Sequence, residues 1–69
     1  MVEVFKTNVQ TKKLADKLLT QLFILFPNIK INFYLEDSDK ILRIQARKTV
    51  VNQIIEQVNQ SGFLCEILQ

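Results

Sequence analysis

Apolar and polar positions alternate along this chain with two different periods, and the changes of period divide it into six segments. Val2-Glu3-Val4-Phe5 reads as a short strand, with Val2 and Val4 set against Glu3 and Phe5. From Thr11 to about Phe26 the period lengthens. Leu14, Ala15, Leu18, Leu19, Leu22, Leu25 and Phe26 share one broad arc of a helix, while Lys13, Lys17 and Thr20 occupy the other side. Pro27-Asn28 ends it, because proline disfavours helical geometry in the residue before it and has no N–H to give. Ile29, Ile31, Phe33 and Leu35 then alternate with Lys30, Asn32, Tyr34 and Glu36, the period of two that a half-buried strand needs. Beyond the polar turn Glu36-Asp37-Ser38-Asp39-Lys40, Leu42, Ile44 and Ala46 alternate with Arg43 and Gln45, so the two strands form a hairpin. A second helix is expected from an N-cap at Thr49 to about Gln60. Its apolar stripe is Val51, Ile54, Ile55 and Val58, and Ser61-Gly62 stops it. Phe63, Cys65 and Ile67 alternate with Leu64, Glu66 and Leu68 in a last strand.

Every strand has an apolar face and each helix one apolar stripe, so the core closes when both helices lie on one face of the sheet. The expectation is one α+β domain over residues 1–69, a ferredoxin-like βαββαβ sandwich with a four-stranded antiparallel sheet. Right-handed crossovers put the first and third strands in the centre and the second and fourth at the edges. The uncovered face then carries Glu3 and Phe5, Lys30, Asn32 and Tyr34, Ile41, Arg43 and Gln45, and Leu64, Glu66 and Leu68. Among these, Phe5, Ile41, Leu64 and Leu68, with Tyr34 nearer the rim, form a candidate apolar contact patch. Scattered apolar side chains are also ordinary on a folded surface. Phe23 and Ile24, at the exposed end of the first helix, are a second candidate surface. Edge-strand pairing is a third, blunted on the second strand by Lys30 and Glu36.

Composition narrows the function classes. A 69-residue chain needs a dense core, and 48% of these residues are apolar with a single Gly and a single Pro. A net charge of +2 without a block of like charges is no nucleic-acid footprint, and Phe5 is the only aromatic residue on the expected central strands for a base to stack on. The longest apolar run, Leu22–Phe26, falls far short of the ~20 residues of a membrane span, and the first residues lack the order of a signal peptide. The lone Cys65 has no partner for an internal disulfide, so a cytoplasmic location is expected. It should face inward between Phe63 and Ile67 as a small hydrophobe. There is no His, the commonest general base, and no glycine-rich phosphate loop. Glu36, Asp37 and Asp39 lack the Gly and the distal Glu of a calcium loop, and Ser38 and Ser61 have no base beside them. Neither catalysis nor a cofactor is expected. The loop Thr7–Thr11, flanked by Lys6, Lys12 and Lys13, reads most simply as a capping turn with Thr7 or Asn8 as the cap. The other reading is a hold for a small anion or an acidic segment.

The run from Ile54 to Leu68, with Gly62-Phe63 followed by Cys65-Glu66-Ile67-Leu68, matches the pattern "aIexxGYxaxvl". Leu18, Leu19 and Leu22, and Pro27-Asn28-Ile29 in the place of a Pro-Gly-Val turn, extend the match over Val2–Leu68. In these features the chain resembles the heavy-metal-associated domain, the βαββαβ module of copper chaperones and metal-transporting ATPases. That family's chemistry sits in a GMxCxxC loop after the first strand, where two thiolates bind a soft ion such as Cu(I). Here the loop reads Phe5-Lys6-Thr7-Asn8-Val9-Gln10-Thr11-Lys12, with Asn8 and Thr11 in the place of the cysteines and Lys6 in that of the methionine. An amide and a hydroxyl are poor ligands for a soft cation, and three lysines repel it, so metal transfer is not implied for this chain. The preferred expectation is a non-enzymatic interaction module that binds a protein partner or a second copy weakly. A degenerate metal carrier using Asn8, Thr11 and an outside ligand is the alternative. A small-molecule regulatory domain is a third reading, on fold analogy alone.

Overall fold

In the computed structural model, which describes residues 2–68, the segments follow the order β1 (Val2–Thr7), α1 (Lys12–Leu25), β2 (Lys30–Tyr34), β3 (Ile41–Gln45), α2 (Lys48–Gln60) and β4 (Cys65–Ile67). The strands pair antiparallel in the order β2-β3-β1-β4, which places β1 and β3 in the centre and β2 and β4 at the edges. Ala15, Leu18 and Leu22 of α1 and Val51, Ile54 and Val58 of α2 join Phe5, Ile31, Leu42 and Ile44 in one core cluster. Both helices therefore cover the same face of the sheet, the ferredoxin-like α+β arrangement.

β1 reverses the expected orientation. Phe5 is 0% exposed and Thr7 is buried, whereas Val2 is exposed and Val4 half-buried. Residues directly opposite in an antiparallel pair share a face. Phe5 lies opposite Leu42 on one side and Ile67 on the other, and Leu42 lies opposite Phe33, so Phe5 belongs to the helix-covered layer. Burying a phenylalanine removes more apolar surface from water than burying a valine, and that difference selects the parity. The same parity carries Thr7 and then Val9, itself 0% exposed, inward.

Two expected caps also move. Thr11, not Thr7 or Asn8, caps α1: its backbone is extended and its hydroxyl accepts from Leu14 N–H at 3.2 Å. α2 begins at Lys48 with Arg47 as the cap residue, and no side chain caps it; Thr49 lies within the first turn. At the other end α2 closes as anticipated. Gly62 takes φ +94°, and Gly62 N–H and Phe63 N–H donate to the carbonyls of Asn59 and Val58, a Schellman arrangement. Within the expected α1 stripe, Leu14 and Leu25 are exposed; Leu14 lines an open groove with Lys17, Leu18, Gln21, Ser61 and Phe63, and Leu25 is the last residue of the helix. The last strand is shorter than the alternation suggests, and Ile67 is exposed at its edge despite facing the helix side.

Candidate functional site

The loop after β1 is a knot of hydrogen bonds. Thr7 Oγ1 donates to the Lys40 carbonyl at 2.6 Å and accepts from Val9 N–H at 3.3 Å, while Thr7 N–H donates to the Asp39 carbonyl. Lys40 takes φ +50°, in the left-handed region that costs a residue with a Cβ about 1–2 kcal/mol. Its ammonium donates to the Leu35 carbonyl at 3.0 Å. Asn8 Oδ1 accepts from Leu64 N–H at 2.8 Å, which fastens the chain entering β4. Thr11 Oγ1 is taken by the α1 cap. Thus Asn8 and Thr11 both spend their side-chain oxygens on backbone donors. Among the described residues no three His, Cys, Asp or Glu side chains gather as a metal site. Asp37 and Asp39 act within the hairpin turn, where Asp37 Oδ1 accepts from Asp39 N–H at 2.9 Å. At the α1 N-terminus Lys12 pairs with Asp16 at 3.9 Å on the exposed surface.

The open sheet face is ordered in rows by the strand register. Tyr34, Ile41, Lys6 and Glu66 form one row. Asn32, Arg43 and Val4 form the next, which Leu68 joins through its N–H to the Val4 carbonyl. Lys30, Gln45 and Val2 form the third. The reversal of β1 therefore removes Phe5 from this face and replaces it with Val4 and Lys6. Ile41 is on the expected face but only 8% exposed, set between its register partners Tyr34 and Lys6. Tyr34, Leu64 and Leu68 are exposed, Leu64 to 60%. The expected single patch is thus divided: Tyr34 and Ile41 lie toward β2, Val2, Val4 and Leu68 toward β4, and the cations Lys6 and Arg43 stand between.

Phe23 and Ile24 are exposed, Ile24 to 75%, but they sit on α1 over the other face of the sheet and do not join these residues. Cys65 lies opposite the buried Thr7, half-buried, and burial pushes its thiol up to about 12. It is a protonated packing group at neutral pH. Local pattern missed Thr7 as an inward residue; the series Phe5, Thr7, Val9 at every second position was the available signal. No helix among the described residues is long and apolar enough to cross a membrane. No protein-family model, curated protein or solved structure matches this chain.

Proposed function

We propose that this chain is a non-enzymatic interaction module, built like the heavy-metal-associated domain but with its metal loop turned into a structural tie. The supporting observation is the engagement of Asn8 Oδ1 and Thr11 Oγ1 by the N–H groups of Leu64 and Leu14. Drawing these oxygens onto a cation would release the entry to β4 and the first turn of α1 together, leaving two backbone donors to find new partners. Binding then falls to the open sheet face. The cations Lys6 and Arg43 on its central strands, flanked by aliphatic and tyrosine side chains, suit a protein surface that brings carboxylates opposite them and apolar groups beside them. Single-stranded RNA suits it less, since β1 and β3 present Val2, Val4, Lys6, Ile41, Arg43 and Gln45 there and no ring on which a base would stack. One protonated thiol and no disulfide partner agree with a reducing, cytoplasmic compartment.

Titration of the isotope-labelled protein with Cu(I) and Zn(II), following the amide signals of residues 6–12, tests the reading. No saturable shift is expected at micromolar metal. The double variant Asn8→Cys/Thr11→Cys places two thiols on the same framework and is expected to gain Cu(I) binding in that loop. Saturable binding confined to residues 6–12 in the unaltered chain would make it a metal carrier instead. Failure of the double variant to take Cu(I) would remove the family resemblance.

A further inference from the structure

The strand register sets the cations of the open face on one diagonal. Lys30 of β2 lies opposite Gln45, Arg43 of β3 lies opposite Asn32 and Val4, and Lys6 of β1 lies opposite Ile41. Passing from Lys30 to Arg43 to Lys6 therefore advances one strand and one side-chain row at each step. Diagonal neighbours in a sheet stand about 7–8 Å apart, so the charges form a stripe about 15 Å long. Among the described residues, neither Lys6, Lys30 nor Arg43 makes an ion pair. Glu66, opposite Lys6, is the only carboxylate in these rows. Tyr34 and Ile41 stand on one side of the stripe, and Val2, Val4 and Leu68 on the other.

On the reading of the open face as the binding surface, we infer that this stripe receives an amphipathic helix of a partner protein. That helix presents a line of carboxylates with apolar side chains on both flanks. Residues spaced i, i+4, i+7 and i+11 lie along one ridge of a helix over about 16 Å, the length of the stripe. Side chains beside that ridge point obliquely to left and right, where they meet Tyr34 and Ile41 or Val2, Val4 and Leu68. An extended segment turns every second side chain away from the sheet and presents a single line toward it, which covers the stripe and neither flank.

Charge selects the sign of the incoming surface, and the width of the face selects its form. Lys6 and Lys30 are exposed and Arg43 is half-buried at the centre, where its planar guanidinium takes a carboxylate through two parallel hydrogen bonds. A second copy of this chain supplies no such helix, because Asp16 is the one acid of α1 and Glu56 the one acid of α2. A single-stranded nucleic acid satisfies the cations, but its bases find Tyr34 as the one ring in these rows and aliphatic groups elsewhere.

The probe is a synthetic helical peptide of about four turns, with glutamate at i, i+4, i+7 and i+11 and leucine on both flanks. Titrated into the isotope-labelled chain, it is expected to give saturable amide shifts in β1 and β3 below millimolar concentration. Lys6→Gln and Lys30→Gln should each weaken binding about threefold, and Arg43→Gln about tenfold. Lys13→Gln removes an equal charge from the exposed surface of α1, on the other side of the sheet, and should leave binding unchanged. Circular dichroism checks the fold of Arg43→Gln, and the two lysine variants, at exposed positions, test the stripe without it. No saturable shift at millimolar peptide would overturn the inference. Equal binding by the peptide with glutamine in place of glutamate, or by a proline-interrupted acidic peptide that forms no helix, would do the same. So would tighter binding of a single-stranded RNA oligonucleotide at the same amides, or self-association in sedimentation equilibrium that Arg43→Gln abolishes. None of these outcomes touches the Cu(I) and Zn(II) titration, which decides the preceding reading by itself.

Discussion

Apolar residues of β1 fall on both parities: Val2 and Val4 on one, Phe5 on the other. Alternation alone cannot choose between them, and the strand settles with Phe5 against Leu42 in the dry layer. Truncation distinguishes the two orientations. Phe5→Ala should cost about 3–5 kcal/mol, the range for a fully buried aromatic, and Val4→Ala no more than about 1 kcal/mol, measured by urea unfolding. The opposite ranking would return β1 to its expected orientation. Thr7 illustrates why that orientation was hard to read. A polar side chain is tolerated inside when it is hydrogen-bonded, and its partner, the Lys40 carbonyl, lies 33 positions away. Cys65 was easier, since its neighbours Phe63 and Ile67 share its parity. Its thiol, pushed from 9.0 to about 12 by burial, keeps its proton in the native state where the unfolded chain has lost it. The native state then binds more protons than the unfolded one, so this stabilising contribution is complete below pH 9 and is lost as pH climbs toward 12. Melting temperatures of the unaltered protein should fall more steeply above pH 9 than those of Cys65→Ala. Parallel curves would mean that the thiol is not held in an apolar site.

At the scale of elements, the two helices show what periodicity can and cannot supply. α2 meets its expected stripe, with Val51, Ile54 and Val58 buried and Ile55 partly so. In α1 the stripe was drawn too wide, because periodicity shows which side is apolar and not how closely a neighbouring helix approaches. The gap beside Leu14, Gln21, Ser61 and Phe63 leaves Leu14 in contact with solvent. Caps obey the same division. Thr11 and Thr49 have the same side chain, and both precede apolar runs, but only Thr11 has the extended backbone and the bond to Leu14 N–H. Thr11→Ala is therefore expected to destabilise the protein by about 1 kcal/mol and Thr49→Ala by a few tenths at most. Thermal unfolding of the two variants checks this, and equal losses would place a working cap at Thr49.

In the whole molecule, segments far apart in the chain meet at one end of the sheet. The loop after β1 holds the β2–β3 hairpin through Thr7 and the entry to β4 through Asn8. The polar side chains of this loop serve the fold. The sequence by itself determined the order of the six elements, the faces of β2, β3 and β4, the stripe of α2, the glycine stop at Gly62 and the absence of soft ligands at Asn8 and Thr11. All of these follow from residue type and the spacing of near neighbours, which act over one or two turns or a few extended residues. Only the tertiary structure decided which side of β1 is dry, that Thr7 bonds to Lys40 and Asn8 to Leu64, and how the open face is divided between Tyr34, Arg43 and Leu68. Each of those depends on a partner from a distant segment, and a local pattern carries no information about where that partner will stand.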